Sequence, residues 1–493
     1  MVEAPTGLLR QFLAGYSACL LSLCYGSAIG WMSPVQTFLE SDRSPVGRLT
    51  AYDVAYLAGI PYVGSILGTF GFARVSEHIG RKTMLCGLAI PYLLAGLVIY
   101  FTHSFLLMLA ARFVIGVCIP GTLSSITLYL SEISDPSILG NLGSGVIVSC
   151  NLGTLIMFLA ATGLSYYPYN IVNIALPALF LAMSWILPES PVYYLKLNRL
   201  DKSKQSLSWL RNTSCETVLD AEIDRLRKMF FNQTSSSNAA RQSLTWREVF
   251  ATPYYWKSFL LGVFLQSSQS SSGIMVLNTF CYTILAECMN HPGEKETQVN
   301  KLYPVYLLIL CNIAGVMALF IADKFSRKFI LIGTRLVCSV FMLFLGVLLL
   351  MKDYFHVYIH AYYFVGLLAL YEAIYGLGLS SIVFVIYGEL FSVECRDKFM
   401  QPLLLFHFIN ILLYITLYRI TVEVIHLYSW FFIFGIVNFM FTTVFMIYLP
   451  ETKNKTISEI AQALTKGRNK RKRTDSQPVP SICAELDVKS ARL

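Results

Sequence analysis

The sequence predicts an all-α polytopic membrane protein whose twelve transmembrane helices form two six-helix halves. Three observations carry that expectation: an apolar composition, a series of charge-free stretches of spanning length, and basic residues gathered on alternate loops. Of 493 residues, 55% are hydrophobic and only 14% are charged, where a soluble protein carries roughly a quarter charged residues. So much apolar surface needs lipid as its solvent.

A spanning helix needs about 20 apolar residues. Residues 11–39, 54–73, 113–131, 258–286, 302–322, 399–418 and 424–450 contain no charged side chain. Residues 83–111 supply another span, and the long run 136–188 holds two, turned at the polar segment 165–170. Residues 328–352 and 357–388 complete the twelve, the last containing Glu372. With both termini on one side, that side collects 30 basic residues and the other six, while Arg112 and Arg335 lie within spans. This asymmetry predicts cytoplasmic termini. The net charge of +9 is therefore read as loop charge at a membrane, and nucleic acid is not an expected partner.

The expected organisation is an N-terminal half over 1–188, a cytoplasmic loop over 189–257, a C-terminal half over 258–450 and a basic tail over 451–493. Within the loop, 200–211 and 216–231 place Leu207, Leu210, Leu219, Ile223 and Leu226 at helical spacing, which predicts short amphipathic helices. The Ser/Asn-rich stretch 233–238 is expected to be loose. Between the halves, Gly80-Arg81-Lys82 repeats as Ser326-Arg327-Lys328, Glu132 as Glu389, and Pro188-Glu189-Ser190 as Pro450-Glu451-Thr452. Parallel six-span repeats of this kind define one transporter architecture. The cluster 466–473 holds six basic residues; it suits either an anionic inner leaflet or a solvated tail.

Polar residues at membrane depth are costly and tend to face a cavity. Residues 266–273 read Gln-Ser-Ser-Gln-Ser-Ser-Ser-Gly, eight positions without an apolar side chain inside the seventh span. Either they line a path or they form a small-residue packing seam, and the two glutamine amides favour the path. Breakers are also expected in the first span (Gly26-Ser27-Ala28, Gly30), the fourth (Pro120-Gly121-Thr122) and the tenth (residues 376–381). The candidate solute contacts are Gln269, Ser270, Ser272, Asn312, Phe384, His407 and Asn410. The charges Glu77, Arg81, Glu132, Glu189, Asp323, Arg327, Glu389, Arg396 and Glu451 are expected to interlock into an inner gate. The seven histidines are scattered and no nucleophile–base or metal-ligand spacing occurs, so neither enzyme chemistry, a metal nor a cofactor is expected. The twelve cysteines read as small buried hydrophobes.

Over about residues 10–465 the chain resembles the sugar porter family of the major facilitator superfamily. Residues 77–82 resemble its loop motif, with Ala73 and His78 departing from it. Arg112-Phe113-Val114-Ile115-Gly116, Tyr129 with Glu132, Pro188-Glu189-Ser190-Pro191, and Pro450-Glu451-Thr452-Lys453 with Thr456 also match. Arg112 joins the gating set on that resemblance. Asn151-Leu152-Gly153 and residues 204–211 look most like the facilitated trehalose branch, beside the facilitative glucose transporters. The resemblance implies the major facilitator fold and central sugar contacts. At those contacts the chain departs: Gln269, Ser272 and Gly273 keep the seventh-span motif, whose second glutamine and asparagine are absent. Asn312 is kept, residues 380–384 replace a Gly-Pro-x-Pro-Trp pattern, His407-Phe408 replaces Asn-Trp, and Leu139 replaces a gate arginine. Phe384 would stack on a sugar's apolar face. Ala28 stands where proton-coupled relatives resemble one another in carrying Asp, which favours a facilitator, while Glu372 keeps proton coupling open. The expectation is facilitative transport of trehalose or a hexose across the plasma membrane. The alternatives are a solute sensor and a carrier of a less hydroxylated solute.

Overall fold

The computed structural model describes residues 7–240, 245–290, 300–322, 324–380, 382–453 and 455–465. Among them there are helices and no strands. Twelve crossings follow from the helix order. The first is α1 (Leu8–Gly30) continued through Trp31, whose backbone angles stay helical, as α2 (Met32–Leu39). Then come α3 (Ala51–Gly68), the short α4 (Phe72–Ile79), α5 (Arg81–Phe101), α6 (Phe105–Ile133), α7 (Pro136–Gly163) and α8 (Tyr166–Ser184). Seven helical runs are long and apolar enough to cross a membrane on composition alone, and an eighth is broken. One of the seven, residues 398–448, crosses twice. The spans α3, α8 and α16 (Tyr303–Ala322) complete the set. The first two are diluted by polar or aromatic residues such as Asp53, Tyr166, Tyr167 and Asn170.

Close backbone packing assembles the N-terminal half. A Cβ on Gly26 would sit 1.8 Å from the Cys150 carbonyl oxygen, so α1 and α7 meet only because that position is glycine. Ser22 donates to the Val146 carbonyl (2.8 Å) and Thr154 to that of Gly26 (3.0 Å) across the same seam. Here packing, not bending, is what the first-span glycines provide. The fourth span likewise runs unbroken through Pro120 as α6.

Between the halves lie α9 (Pro191–Lys196), α10 (Leu200–Arg211), α11 (Glu216–Ala240) and α12 (Trp246–Ala251). The expected amphipathic faces form a small core of Leu207, Leu219 and Ile223. Helix α11 runs on through 233–238, where the sequence suggests a loose segment.

The C-terminal half opens with α13 (Pro253–Ser270), α14 (Ile274–Thr279) and α15 (Cys281–Met289). It continues through α16, α17 (Arg327–Asp353), α18 (Ala361–Ile374), a π-helical turn at Tyr375–Leu379 and α19 (Ile382–Leu390). The final pair of spans is α20 (Val393–Tyr448), reversed at His426 (φ 58°, ψ 155°), followed by α21 (Ile457–Thr465). The halves meet where α3 packs on α20 and α7 on α16. We call the face where α1 begins and α20 ends the terminal face, and the opposite one the far face.

Candidate functional site

Two of the four expected breaks are realised, both in the C-terminal half. The seventh span stops at Ser270, passes Gly273 in the left-handed region (φ 92°), restarts as α14, and turns by 77° into α15 beyond Thr279. A helix end leaves its last carbonyls without intrahelical donors, and side chains from three other spans serve them here. Arg335 of α17 donates from Nη2 to the Ser268 carbonyl. Tyr371 of α18 donates to the Ser272 carbonyl at 2.7 Å, and Asn438 of α20 reaches the same oxygen at 3.4 Å. The tenth span loosens alongside, in the π-helical turn at Tyr375–Leu379.

The polar stretch faces inward and is buried: Gln266 is 2% exposed and Gln269 7%. Tyr387 donates to Gln266 Oε1 at 2.8 Å, and Gln266 Nε2 donates to Gln269 Oε1 at 3.3 Å. Gln269 Nε2 reaches the Leu379 carbonyl at 3.5 Å, and Tyr375 pairs with the Gln269 side chain. Ser270 Oγ lies 2.8 Å from His407 Nδ1, and Asn410 Nδ2 donates to Ser267 Oγ at 3.4 Å. The structure thus places Gln269 and Ser270 of α13 beside His407 and Asn410 of α20, with Ser270 on His407 and Asn410 on the neighbouring Ser267. Ser272 turns back to the Gln269 carbonyl (2.8 Å), and Asn312 to that of Leu308 (2.8 Å), so Asn312 makes no described bond to the cluster. The side chains of Phe384 and Arg396, together with Asp323 and residues 466–473, lie outside what the structure describes.

Of the expected gating charges, the described ones pair as follows. Arg81 Nε and Nη2 hold the two oxygens of Glu132 at 2.7 and 2.8 Å, and Ser190 donates to Glu132 at 2.5 Å. Glu189 accepts the backbone N–H groups of Arg81 (2.8 Å) and Lys82 (3.0 Å), serving orphan donors at the start of α5. In the other half Arg327 Nε meets Glu389 at 3.3 Å, Thr452 donates to Glu389 at 2.5 Å, and Glu451 accepts from Ser326 and from the Arg327 N–H. The described contacts of each set lie within its own half. The reason lies in the repeat: each copy carries both its acid and its base, so each is self-sufficient. Glu77 is exposed. Arg112 lies away from this face, two turns into α6 from its far-face end. It is 3% exposed, donates to the Ala28 carbonyl at 2.8 Å, and stacks 4.9 Å over Trp31.

Contacts across the halves concentrate at the far face. Ser33 accepts the Tyr282 N–H at 3.0 Å, Thr283 donates to Gln36 at 3.1 Å, and Arg419 pairs with Glu40 at 2.8 Å. Phe158 stacks on Tyr282, ring centroids 5.7 Å apart.

The sequence model of the family described as "Sugar (and other) transporter" matches residues 14–464 of this chain. The chain belongs to that family. Among curated relatives, a Drosophila willistoni protein named facilitated trehalose transporter Tret1 is 23% identical over 93% of this chain and 52% of its own length. The chain thus spans about half the length of the first relatives it matches. An Apis mellifera ligustica protein of the same name is 21% identical, with 93% of this chain and 89% of that one covered. The inward-open structure of the xylose transporter XylE from E. coli superposes with a TM-score of 0.73 at 15% identity, covering 91% of this chain and 99% of that one. A structure of XylE, a proton:xylose symporter, bound to 6-bromo-6-deoxy-D-glucose gives 0.69 at 18%, covering 93% and 99%. At such identities the likeness shows the fold, that of a major facilitator with twelve spans.

Within this sugar transporter family member, sequence reasoning missed the tyrosines around the break: Tyr387 on Gln266, Tyr375 on Gln269 and Tyr371 on the Ser272 carbonyl. Tyr371 and Tyr375 are four residues apart on the tenth span, a helical repeat that places both on one side. Arg335 is visible as a charge inside a span, but nothing in its neighbours points to Ser268.

Proposed function

We propose that this chain is a facilitative carrier of a sugar, trehalose or a hexose, working by alternating access in the plasma membrane. In this reading residues 1–188 and 258–450 rock as two bodies around the polar break, 189–257 lies on the cytoplasmic side, and both termini are cytoplasmic. The tail over 466–473 meets anionic headgroups there. One observation carries the proposal: a hydrogen-bonding cluster of Gln269, Ser270, His407 and Asn410 at bilayer depth, beside a twice-interrupted span. Buried amides and hydroxyls on breaking helices suit a solute rich in hydroxyl groups, and polar groups at that depth are retained for a pathway. The far-face contacts support a state open toward the terminal face. The first span has no carboxylate and Ala28 occupies its inner turn, which supports transport down a gradient without proton coupling.

The test is uptake and counterflow of labelled trehalose and D-glucose in proteoliposomes. Flux of either sugar, unchanged by an imposed pH gradient, is the expected result, and Gln269→Ala lowers it at least tenfold. Unchanged kinetics in that variant remove Gln269 from the site. Binding without counterflow points to a sensor. A second reading, a less hydroxylated solute, draws on Tyr387 and Tyr375, which hold the amides a sugar would otherwise engage; flux of an amphiphilic solute in place of both sugars would favour it.

A further inference from the structure

Arg335 is fully buried in an otherwise apolar stretch of α17. A leucine or methionine would fill such a place without desolvating a charge. Its guanidinium uses Nη2 on the Ser268 carbonyl and lies 5.7 and 5.5 Å over the rings of Phe441 and Phe445. Nε and Nη1 are buried without a partner. Ser268 lies in the last turn of α13, where the seventh span gives up its helical hydrogen bonds. A cation there meets the negative end of the helix dipole as well as a carbonyl whose other described donor is only the Ser271 hydroxyl at 3.3 Å.

The N-terminal half does the same thing with a different helix. Arg112 on the fourth span donates to the Ala28 carbonyl in the last turn of α1, one turn before Trp31, where the backbone stays helical. Arg335 lies on the ninth span, which is not the repeat partner of the fourth. Two separately placed guanidinium groups thus serve a carbonyl of the first span of each half, and the repeat alone does not explain that agreement.

We propose that Arg335 is a positioning residue that holds the break of the seventh span in register. Its spare N–H donors let it pass to neighbouring carbonyls as the break changes shape during the transport cycle. The solute contacts Gln269 and Ser270 lie one and two residues beyond the carbonyl it grips, so Arg335 sets their placement without touching solute. This rests on the carrier reading given above.

The test uses the full chain in proteoliposomes, with Arg335→Gln and Arg335→Lys. Uptake of trehalose and D-glucose is normalised to folded transporter. Pulsed EPR reads the distance between nitroxides at Asp42→Cys and Phe355→Cys, on the far-face loops of the two halves, with Cys215 and Cys483 replaced by serine. Arg335→Gln lowers the maximal rate at least tenfold, leaves the half-saturation concentration within threefold, and moves the distance distribution toward a separated far face. Arg335→Lys, which keeps the charge and three N–H donors on a single nitrogen, restores at least a third of the rate and keeps the test usable should the glutamine variant fail to fold. A lower yield of folded protein with unchanged rate per transporter and unchanged distances would mean that Arg335 only fills the core, and overturns the proposal. If the unsubstituted chain moves neither sugar but Arg335→Gln still shifts the distances, the substrate reading fails and the positioning role stands.

Discussion

The charged clusters at the terminal face are two copies of one design, finished to different tightness. In the N-terminal half Arg81 and Glu132 form a two-pronged pair whose side chains are 1% and 6% exposed. In the C-terminal half Arg327 and Glu389 are 11% and 27% exposed, and their described contact is 3.3 Å. Drying strengthens the attraction between paired charges and raises the cost of losing one of them. The same residues in the same roles therefore make a rigid joint in one half and a more yielding one in the other.

The largest effect expected from this difference is in Glu132→Ala. It leaves Arg81 buried without its counter-ion, a loss of about 3–5 kcal/mol, read as a lowered unfolding temperature in detergent. Glu389→Ala is expected to cost about 1 kcal/mol; equal losses would break the comparison. A reciprocal exchange comes next. Gly80 has φ 98°, and a Cβ there would lie 2.6 Å from Glu189 Oε2, whereas Ser326 at the matching position has φ −68°. Gly80→Ser should cost roughly 1–3 kcal/mol from backbone strain, but Ser326→Gly, which removes a capping hydroxyl, about a few tenths. The smallest effect concerns acid. Burial pushes the Glu451 carboxyl up, but hydrogen bonds from Ser326 and from the backbone N–H groups of Lys453, Arg327 and Lys328 more than offset it and hold the carboxyl below its usual range. A depressed carboxylate stabilises the fold above its unfolded value near 4.5 and loses that contribution as pH falls below it. Glu451→Gln should therefore shrink the drop in thermostability between about pH 6 and about pH 4.

The spans were legible because lipid imposes one rule on every crossing, and charge-free length reports it directly. The amphipathic helices around Leu207 and Ile223 were legible for a similar reason, since periodicity encodes a buried face. Glycines were ambiguous. Gly26 and Gly273 read alike along the chain, yet one seals a seam against Cys150 and the other adopts a left-handed backbone. Only the partner that each meets separates the two uses. Which partners the gate charges take was not legible, because charge and repeat position carry no information about which half an arginine turns toward. In the site, Gln269, Ser270, His407 and Asn410 were found by polarity at depth. Tyr371, Tyr375 and Tyr387 were not, because tyrosine is also an ordinary resident of a membrane span.

The one described ion pair that ties the halves together, Glu40 with Arg419, sits at the rim, where Glu40 keeps 30% of its side chain in contact with the surroundings and Glu423, also bound to Arg419, keeps 65%. Dissolved ions weaken such attractions over distances of about 8 Å at physiological strength. The saltiness of the bath on that side therefore helps to decide how readily this doorway comes unlatched, while the drier Arg81–Glu132 joint at the opposite end is shielded from dissolved ions by its burial.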